Sequence, residues 1–489
     1  MHHDIIKKLK DMYDFKAIKF GCIDAQVEGQ DYPNLLKNGY IDISQVVGTA
    51  LETSKFLFLG YKGSGKSSLA EHLKLLDTDV YQVDAIDMKD LAYKSFYKII
   101  SGEAEREIKA IYAWRWLLLI KILDNLLHDA DAHSLKKSEI ERFSIWMVQQ
   151  NIFPVRNFAD LIKNTSTTSF KATLRNMEFA YSTGKENVEV SMMNLISYVK
   201  DLVSSFKEGH KHIIVIDGLD EILTSRDIQY ISIAALINEA KDLNRFFSVN
   251  DVPVKINILC RTDIFDRLPD PNKNKIRQDS SFTFTWYREG VNSSADNELI
   301  RLVNVRAQMV YPEIRDVFAQ FFPSDIHRTN IYTYLLDYTR HIPRDFIQLL
   351  NSIQGQCRAS KITSEDIENG VNSYSVDYFV SEIRDEMAGY IPYAKIDYIL
   401  SAIAGMRSRE FKYEDFAEKY YAMSELQDVD INEVMRVLYD CSAIGHKYSF
   451  DGGRHTRVTF KYRNRNSSFN QSDVIFLHKG LWKALNVNY

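Results

Sequence analysis

The residues with the clearest chemical purpose form one run, Gly60-Tyr61-Lys62-Gly63-Ser64-Gly65-Lys66-Ser67, preceded by the apolar Phe56 to Leu59 and followed by Ser68-Leu69-Ala70-Glu71-His72-Leu73. The spacing fills the template G-x-x-x-x-G-K-[ST], with a β-prone run before it and a helical pattern after it. Glycines at 60, 63 and 65 let the backbone take positive φ and approach a ligand, so that consecutive N–H groups at the mouth of the next helix can surround a phosphate chain. Lys66 would reach the β- and γ-phosphates, and the Ser67 hydroxyl would ligate Mg²⁺. Gly60, Tyr61, Lys62, Gly63, Ser64, Gly65, Lys66, Ser67 and Ser68 are therefore the expected nucleotide contacts. The plain alternative is a chance glycine-rich turn before a helix.

A second chemical signal lies far downstream. His212 to Ile216 is a continuous apolar run, as expected of a parallel strand buried on both faces, and it ends in Asp217-Gly218-Leu219-Asp220-Glu221. This is a Walker B arrangement: Asp217 would hold Mg²⁺, and Asp220 or Glu221 would orient or deprotonate an attacking water. A further strand, Ile256 to Cys260, ends in Arg261, where a cation could sense the γ-phosphate; a surface salt bridge is the alternative. Arg267, Arg277 and Arg288 are further candidates for an arginine acting on a neighbouring subunit. In His341-Ile342-Pro343-Arg344-Asp345, proline can open a helix with Arg344 in its first turn, where a cation opposes the helix dipole. Arg344 is thus placed either for a phosphate or for pairing with Asp345 or Asp337.

These residues need a scaffold, and the chain is long enough to supply one. Its 489 residues, 45% of them hydrophobic, suit two to four domains with substantial cores. A net charge of −5 provides no global basic field for nucleic acid. The four cysteines are widely spaced without a C-x-x-C pair, which argues against a zinc site or disulfide framework and suits a reducing cytoplasm. No signal segment is expected, since Met1-His2-His3-Asp4 opens into a charged helical pattern, and no membrane span, because Arg115 and Lys121 interrupt the most apolar stretch, Trp114 to Leu123.

The expected fold class is α/β: a P-loop NTPase with a parallel sheet core, a helical insertion, a helical lid and a C-terminal winged helix. The expected division is an N-terminal segment over 1–50, beginning with a helix from Ile5 to Tyr13, and a core over 51–290. The core uses strands at Phe56 to Leu59, Val80 to Asp84, His212 to Ile216, Ile256 to Cys260 and Phe282 to Trp286. A helix starts at Asp87, and an insertion over about 104–207 carries helices and a hairpin at Phe170 to Tyr181. A helical lid follows over 291–385, with Thr363 or Ser364 capping one of its helices, and a last domain over 386–489. In that domain three helices (Tyr393 to Met406, Tyr413 to Tyr421, Ile431 to Cys441) precede strands at Gly445 to Phe450, His455 to Tyr462 and Asp473 to Leu477 and a closing helix. The wing is basic, with Arg454, Arg457, Lys461, Arg463 and Arg465, and offers a nucleic-acid contact. The third helix carries Asp430, Glu433 and Asp440 against Arg436 alone, which favours a structural or partner-docking role.

Taken together, the loop at 60–67, the Asp217-Gly218-Leu219-Asp220-Glu221 box, Arg261 and Pro343-Arg344 resemble the STAND branch of P-loop ATPases and their AAA+ relatives. The D-G-x-D-E form is similar to that of NACHT-type ATPases. The resemblance implies ATP and Mg²⁺ as cofactors, ATP between core and lid with Pro343 touching the base, homo-oligomerisation in one nucleotide state, a protein effector or partner, and a role in bacterial antiphage defence. The family has glycine where this chain has His341, and no repeat array follows the winged helix. The rival expectations are a DNA-binding ATPase similar to origin-recognition or helicase-loader proteins, and a kinase that shares the phosphate loop.

Overall fold

A computed structural model describes residues 13–76, 79–88, 96, 98–99, 106–167, 192–219, 226–290, 296–358, 360–450 and 455–487. By internal contacts the chain divides into two units, one holding 42–62 and 66–284, the other holding residues up to 41 together with 63–65 and 285–489.

The first unit is built on a five-stranded parallel sheet. Its strands are β1 (Leu57–Gly60), β2 (Tyr81–Asp87), β3 (Lys211–Asp217), β4 (Val254–Arg261) and β5 (Ser281–Thr283), in the spatial order β2-β3-β4-β1-β5. The strand carrying the glycine-rich loop therefore has β4 on one side and β5 on the other, with Gly60 paired to Arg261 and Leu57 to Ser281. Every residue of β1 is buried, and β3 is buried from His212 to Ile216. That is why both read as unbroken apolar runs: a parallel strand covered on two faces has no polar side to show. Each Leu or Phe so buried contributes roughly 1.5–3 kcal/mol.

Asp87, expected at the start of a helix, is instead the last residue of β2, because the ladder to β3 runs on to the pair Asp87 and Asp217. The strand expected to reach Trp286 leaves the sheet after Thr283, although Phe284 N–H still donates to Leu59 O at 2.8 Å. The helix from Ile5 and the hairpin at Phe170 to Tyr181 lie outside the described residues.

The helical insertion shares the core of the sheet. Its first helix, α2 (Arg106–His128), follows α1 (Lys66–Lys74) in the chain and packs along α3 (Arg226–Val249). Trp114 Nε1 donates to Ser232 O at 2.9 Å, and Arg115 forks onto Glu239 with two bonds of 2.7 Å. At the end of α2, Lys121 and Asn125 reach Asp84 of β2 at 2.7 and 2.9 Å. Three further helices, Lys137–Gln149, Phe158–Thr167 and Met192–Ser204, complete the layer.

Just past α2, buried Asp129 accepts from His210 Nδ1 at 2.9 Å, from His212 Nε2 at 3.0 Å and from the backbone N–H groups of Asp131 and His210. Burial alone would raise its pKa, but these donors win and hold the carboxyl at about 2. Asp131 and His210 approach the same carboxylate, so the three could hold a cation, yet Asp129 already has a donor for each lone pair.

In the second unit, residues 13–41 embed among the C-terminal helices. Arg306 and Glu28, both buried, pair at 2.7 Å, and Gln354 Nε2 donates to Phe15 O and Ile18 O at 2.7 and 2.9 Å. The unit contains helices Glu298–Gln308, α4 (Pro343–Gln356), which Pro343 opens as expected, and Ser364–Ser373, which Thr363 caps in a capping box with Asp366. A π-helical turn, Tyr374–Phe379, carries the last of these into Val380–Ala388.

The chain then runs through helices Tyr393–Gly405, Tyr413–Tyr421 and Ile431–Asp440. Strands β6 (Glu410–Phe411), β7 (Ile444–Phe450), β8 (His455–Thr459) and β9 (Val474–Leu477) pair antiparallel in the order β6-β9-β7-β8. Helices and strands thus alternate here with three helices and β6 ahead of β7, β8 and β9. The closing helix is a single 3₁₀ turn, Lys479–Leu481. Among the described residues no helix is long and apolar enough to cross a membrane.

Asp129 carries the first prediction. Its folded pKa lies below the ordinary 3.8, so its contribution is complete above that value and is lost as pH falls toward about 2. Asp129→Asn should cost roughly 2–3 kcal/mol at neutral pH, since it leaves two imidazoles competing for one acceptor. Urea melts at pH 7 and pH 3 check this: the gap between wild type and variant should narrow at the lower pH.

Candidate nucleotide-binding site

The loop between β1 and α1 is built by two glycines that no other residue could replace without strain. Gly63 has φ +78° and Gly65 φ +95°, a region that costs an L-residue roughly 1–2 kcal/mol. The helix after the loop begins at Lys66, so Lys66, Ser67 and Ser68 form the first turn of a helix, the end of a helix that favours an anion. Ser67 is exposed, with its hydroxyl available to a metal ion. Lys66 is buried and turns its ammonium back on the loop, donating to Gly60 O at 3.1 Å and Tyr61 O at 3.0 Å. Tyr61 and Lys62 form the half-exposed shoulder of the loop.

In the same unit, Asp217 closes β3, and its Oδ1 accepts from Gly218 N–H at 2.8 Å. Beside it stands Asp87, which the sequence placed at a helix start and not in the site. Met88 N–H donates to Asp217 O at 3.0 Å, and a Cβ on Gly218 would run into the Asp87 carboxylate. Two carboxylates thus end adjacent strands; the readable signal was an acid closing an alternating run. Asp220 and Glu221 lie outside the described residues. Arg261 ends β4 beside Gly60, and its guanidinium forks onto Asp263 at 3.0 and 2.7 Å. Arg277 pairs with Asp266 and lies over the Phe265 ring. Arg267 adjoins these two, at the end of the short helix Thr262–Arg267.

The second unit contains the apex of the loop, Gly63–Gly65, and the residues that touch it. Arg344 N–H donates to Gly63 O at 3.3 Å, and a Cβ on Gly63 would lie 2.9 Å from Arg344 Cβ and 3.1 Å from Ile342 Cδ1. Trp286 Nε1 donates to Ser64 O at 2.8 Å. Pro343 opens α4 as expected. Neither of the partners weighed for the Arg344 side chain is the one it has. Asp345 is taken by Arg340 with bonds of 2.8 and 2.9 Å, Asp337 lies 3.5 Å from Arg463, and Arg344 approaches Glu382 at 3.7 Å. Burial would raise the Asp345 pKa, but the Arg340 charge and its bonds hold it below the carboxylate range. Arg288 lies 3.5 Å from Glu298.

His341, where the resembling family has glycine, has φ +52°, so the backbone keeps a glycine-like conformation while the ring packs on Tyr462 and Tyr287. Burial holds this imidazole neutral.

The basic wing is less available than its composition implied. Arg463 is largely buried beside Asp337 and over Tyr287, Arg457 reaches Glu289 at 3.0 Å, and Lys461 donates to Ser467 O. Arg465 is half-buried, and Arg454 lies outside the described residues. On the third helix Arg436 pairs with Glu433 and approaches Asp440 at 3.7 Å.

Residues 297–381 match a family model described as the FunZ-associated C-terminal helical domain. No curated protein matches the chain. Among solved structures it is similar to the ORC1 protein of Aeropyrum pernix in complex with DNA, at 12% identity and a TM-score of 0.37, over 94% of this chain and 92% of that one. It is also similar to a Walker-type ATPase of Pyrococcus abyssi, at 11% identity and a TM-score of 0.35, over 96% and 97%.

Gly63→Ala tests the loop geometry directly. The residue would meet both the positive φ and the Arg344 Cβ, so the melting temperature should fall by a few degrees, for a cost of roughly 1–2 kcal/mol. An unchanged melting temperature in a thermal scan would show that the loop does not hold this conformation. The parallel α/β sheet, with a glycine-rich loop running from its β1 strand into a helix that opens on lysine and serine, makes the core a P-loop NTPase fold.

Proposed function

We propose that the chain is an Mg²⁺-dependent ATP-binding and hydrolysing switch. The observation that carries this reading is the loop itself: two glycines at positive φ, a buried lysine at its base and an exposed serine in the first turn of α1. That donor set fits a triphosphate and its metal. Gly60 to Ser68 would hold the phosphates, Lys66 would neutralise them, and Ser67 and Asp217 would hold Mg²⁺. The ion supplies charge neutralisation on the β- and γ-phosphates.

Asp220 or Glu221 would orient a water in line with the γ-phosphorus and accept its proton. The new P–O bond forms as the bond to the bridging oxygen breaks and ADP leaves. Arg261 and Arg344 would read the γ-phosphate by exchanging a carboxylate partner, Asp263 or Glu382, for a phosphate oxygen.

Loss of the γ-phosphate would reset the Arg344 contacts and with them the helical lid, coupling nucleotide state to conformation or assembly. We propose the division into an N-terminal segment over 1–50, a core over 51–290, a lid over 291–385 and a winged-helix domain over 386–489, with the lid and the winged helix as the parts that move. The resemblance to STAND-type ATPases supports homo-oligomerisation, a protein effector, a cytoplasmic location and a role in antiphage defence.

Lys66→Ala should abolish binding of a fluorescent ATP analogue; retained wild-type affinity would sink the phosphate-loop reading. Glu221→Gln or Asp220→Asn should keep binding while slowing turnover by about 10²–10⁴-fold. Sizing the protein with ADP and then with a slowly hydrolysed ATP analogue should reveal a change of assembly.

A further inference from the structure

Resting on the nucleotide reading above, we propose that Trp286 is a positioning residue for the phosphate loop, acting through the carbonyl of Ser64. A trans peptide is planar, with its C=O and the following N–H pointing in opposite directions. Whatever fixes the carbonyl of one residue therefore aims the N–H of the next.

At the apex of the loop two successive peptides are fixed in this way from one side. Arg344 N–H holds Gly63 O at 3.3 Å, which sends Ser64 N–H the other way, and Trp286 Nε1–H holds Ser64 O at 2.8 Å, which does the same for Gly65 N–H. These are the N–H groups that a phosphate-binding loop must aim at its anion.

The first of these bonds comes from backbone, so of side-chain changes only proline would remove its donor; the second depends on one indole. Trp286 is 7% exposed, and its ring edge lies 3.9 Å from where a Cβ on Gly65 would stand, so the ring also backs the left-handed turn at Gly65. Phenylalanine would fill much of the same space without an N–H, and the buried Ser64 carbonyl would then lose its donor. A second observation marks the loop as incomplete by itself: the Ser64 hydroxyl, on a residue 1% exposed, has no hydrogen-bond partner among the described residues. A buried polar group of this kind calls for one, and a phosphate oxygen would serve.

The indole acts on the phosphates alone, which separates positioning from a merely structural role. In Trp286→Phe the affinity for ATP, measured with a fluorescent analogue and Mg²⁺, should fall about five- to tenfold, as for one buried neutral hydrogen bond, while adenosine, measured by competition, should bind as to wild type. Equal loss for ATP and adenosine, or no loss for either, would overturn the inference and leave the nucleotide reading standing. If wild type and Lys66→Ala alike bind no ATP, both fall.

Should Trp286→Phe fail to fold, wild-type protein labelled with ¹⁵N-tryptophan offers a second readout from its five indole N–H resonances. MgATP should shift one of them that adenosine leaves in place. No triphosphate-dependent shift would overturn the proposal.

Discussion

A loop can surround a phosphate with N–H groups only if its carbonyls are turned away and satisfied elsewhere. Much of the site can be read as the answer to that constraint. Gly60 O and Tyr61 O take the ammonium of Lys66, Gly63 O takes Arg344 N–H, and Ser64 O takes the Trp286 indole. An unmade bond at a buried carbonyl costs about 1–3 kcal/mol, so the buried Gly60 O and Ser64 O in particular could not be left without donors. Lys66 thereby satisfies the base of the loop, and in the function proposed above the same ammonium would pass to a phosphate.

The sheet answers a related need for rigidity. β1 holds the first glycine of the loop between β4 and β5, with every residue of the strand buried. Because the strands are parallel, their C-terminal ends bring Gly60, Arg261, Asp217 and Asp87 to one edge of the sheet. A parallel sheet needs cover on both faces, and the insertion supplies part of it through α2, which bonds to α3 at Ser232 and Glu239 and to β2 at Asp84. The insertion is thus structural cover as well as extra chain.

Local pattern made the central strands, the loop and most helices legible, because buried parallel strands leave unbroken apolar runs and the loop leaves a fixed spacing. Helix Tyr413–Tyr421 was readable to the residue from its apolar spacing. Long-range partners were not. The pair Glu28–Arg306 joins residues far apart in the chain, and Asp129 collects two histidines from beyond the insertion; neither leaves a periodic trace. Trp286 looked like one more residue of an aromatic strand, because nothing local says that its indole bonds to a carbonyl in the loop. Asp87 was misplaced for the opposite reason: an acid before a polar run looks like a helix start unless the ladder to β3 is known.

His341 shows how a motif can be kept in backbone and changed in side chain. At φ +52° a residue with a Cβ is strained, and the packing of Tyr462 and Tyr287 against the imidazole is the compensation available at that position. The turn also directs the chain into Pro343 and α4, which places Arg344 N–H on Gly63. Arg340, just before it, is locked by Asp345 and Glu386, and the Tyr378 hydroxyl donates to Asp345 at 3.0 Å. Breaking one member of so buried a network would leave an unpaired charge, costing about 3–5 kcal/mol. The segment from Arg340 to Arg344 is therefore fixed at both ends, by ion pairs on one side and the loop carbonyl on the other.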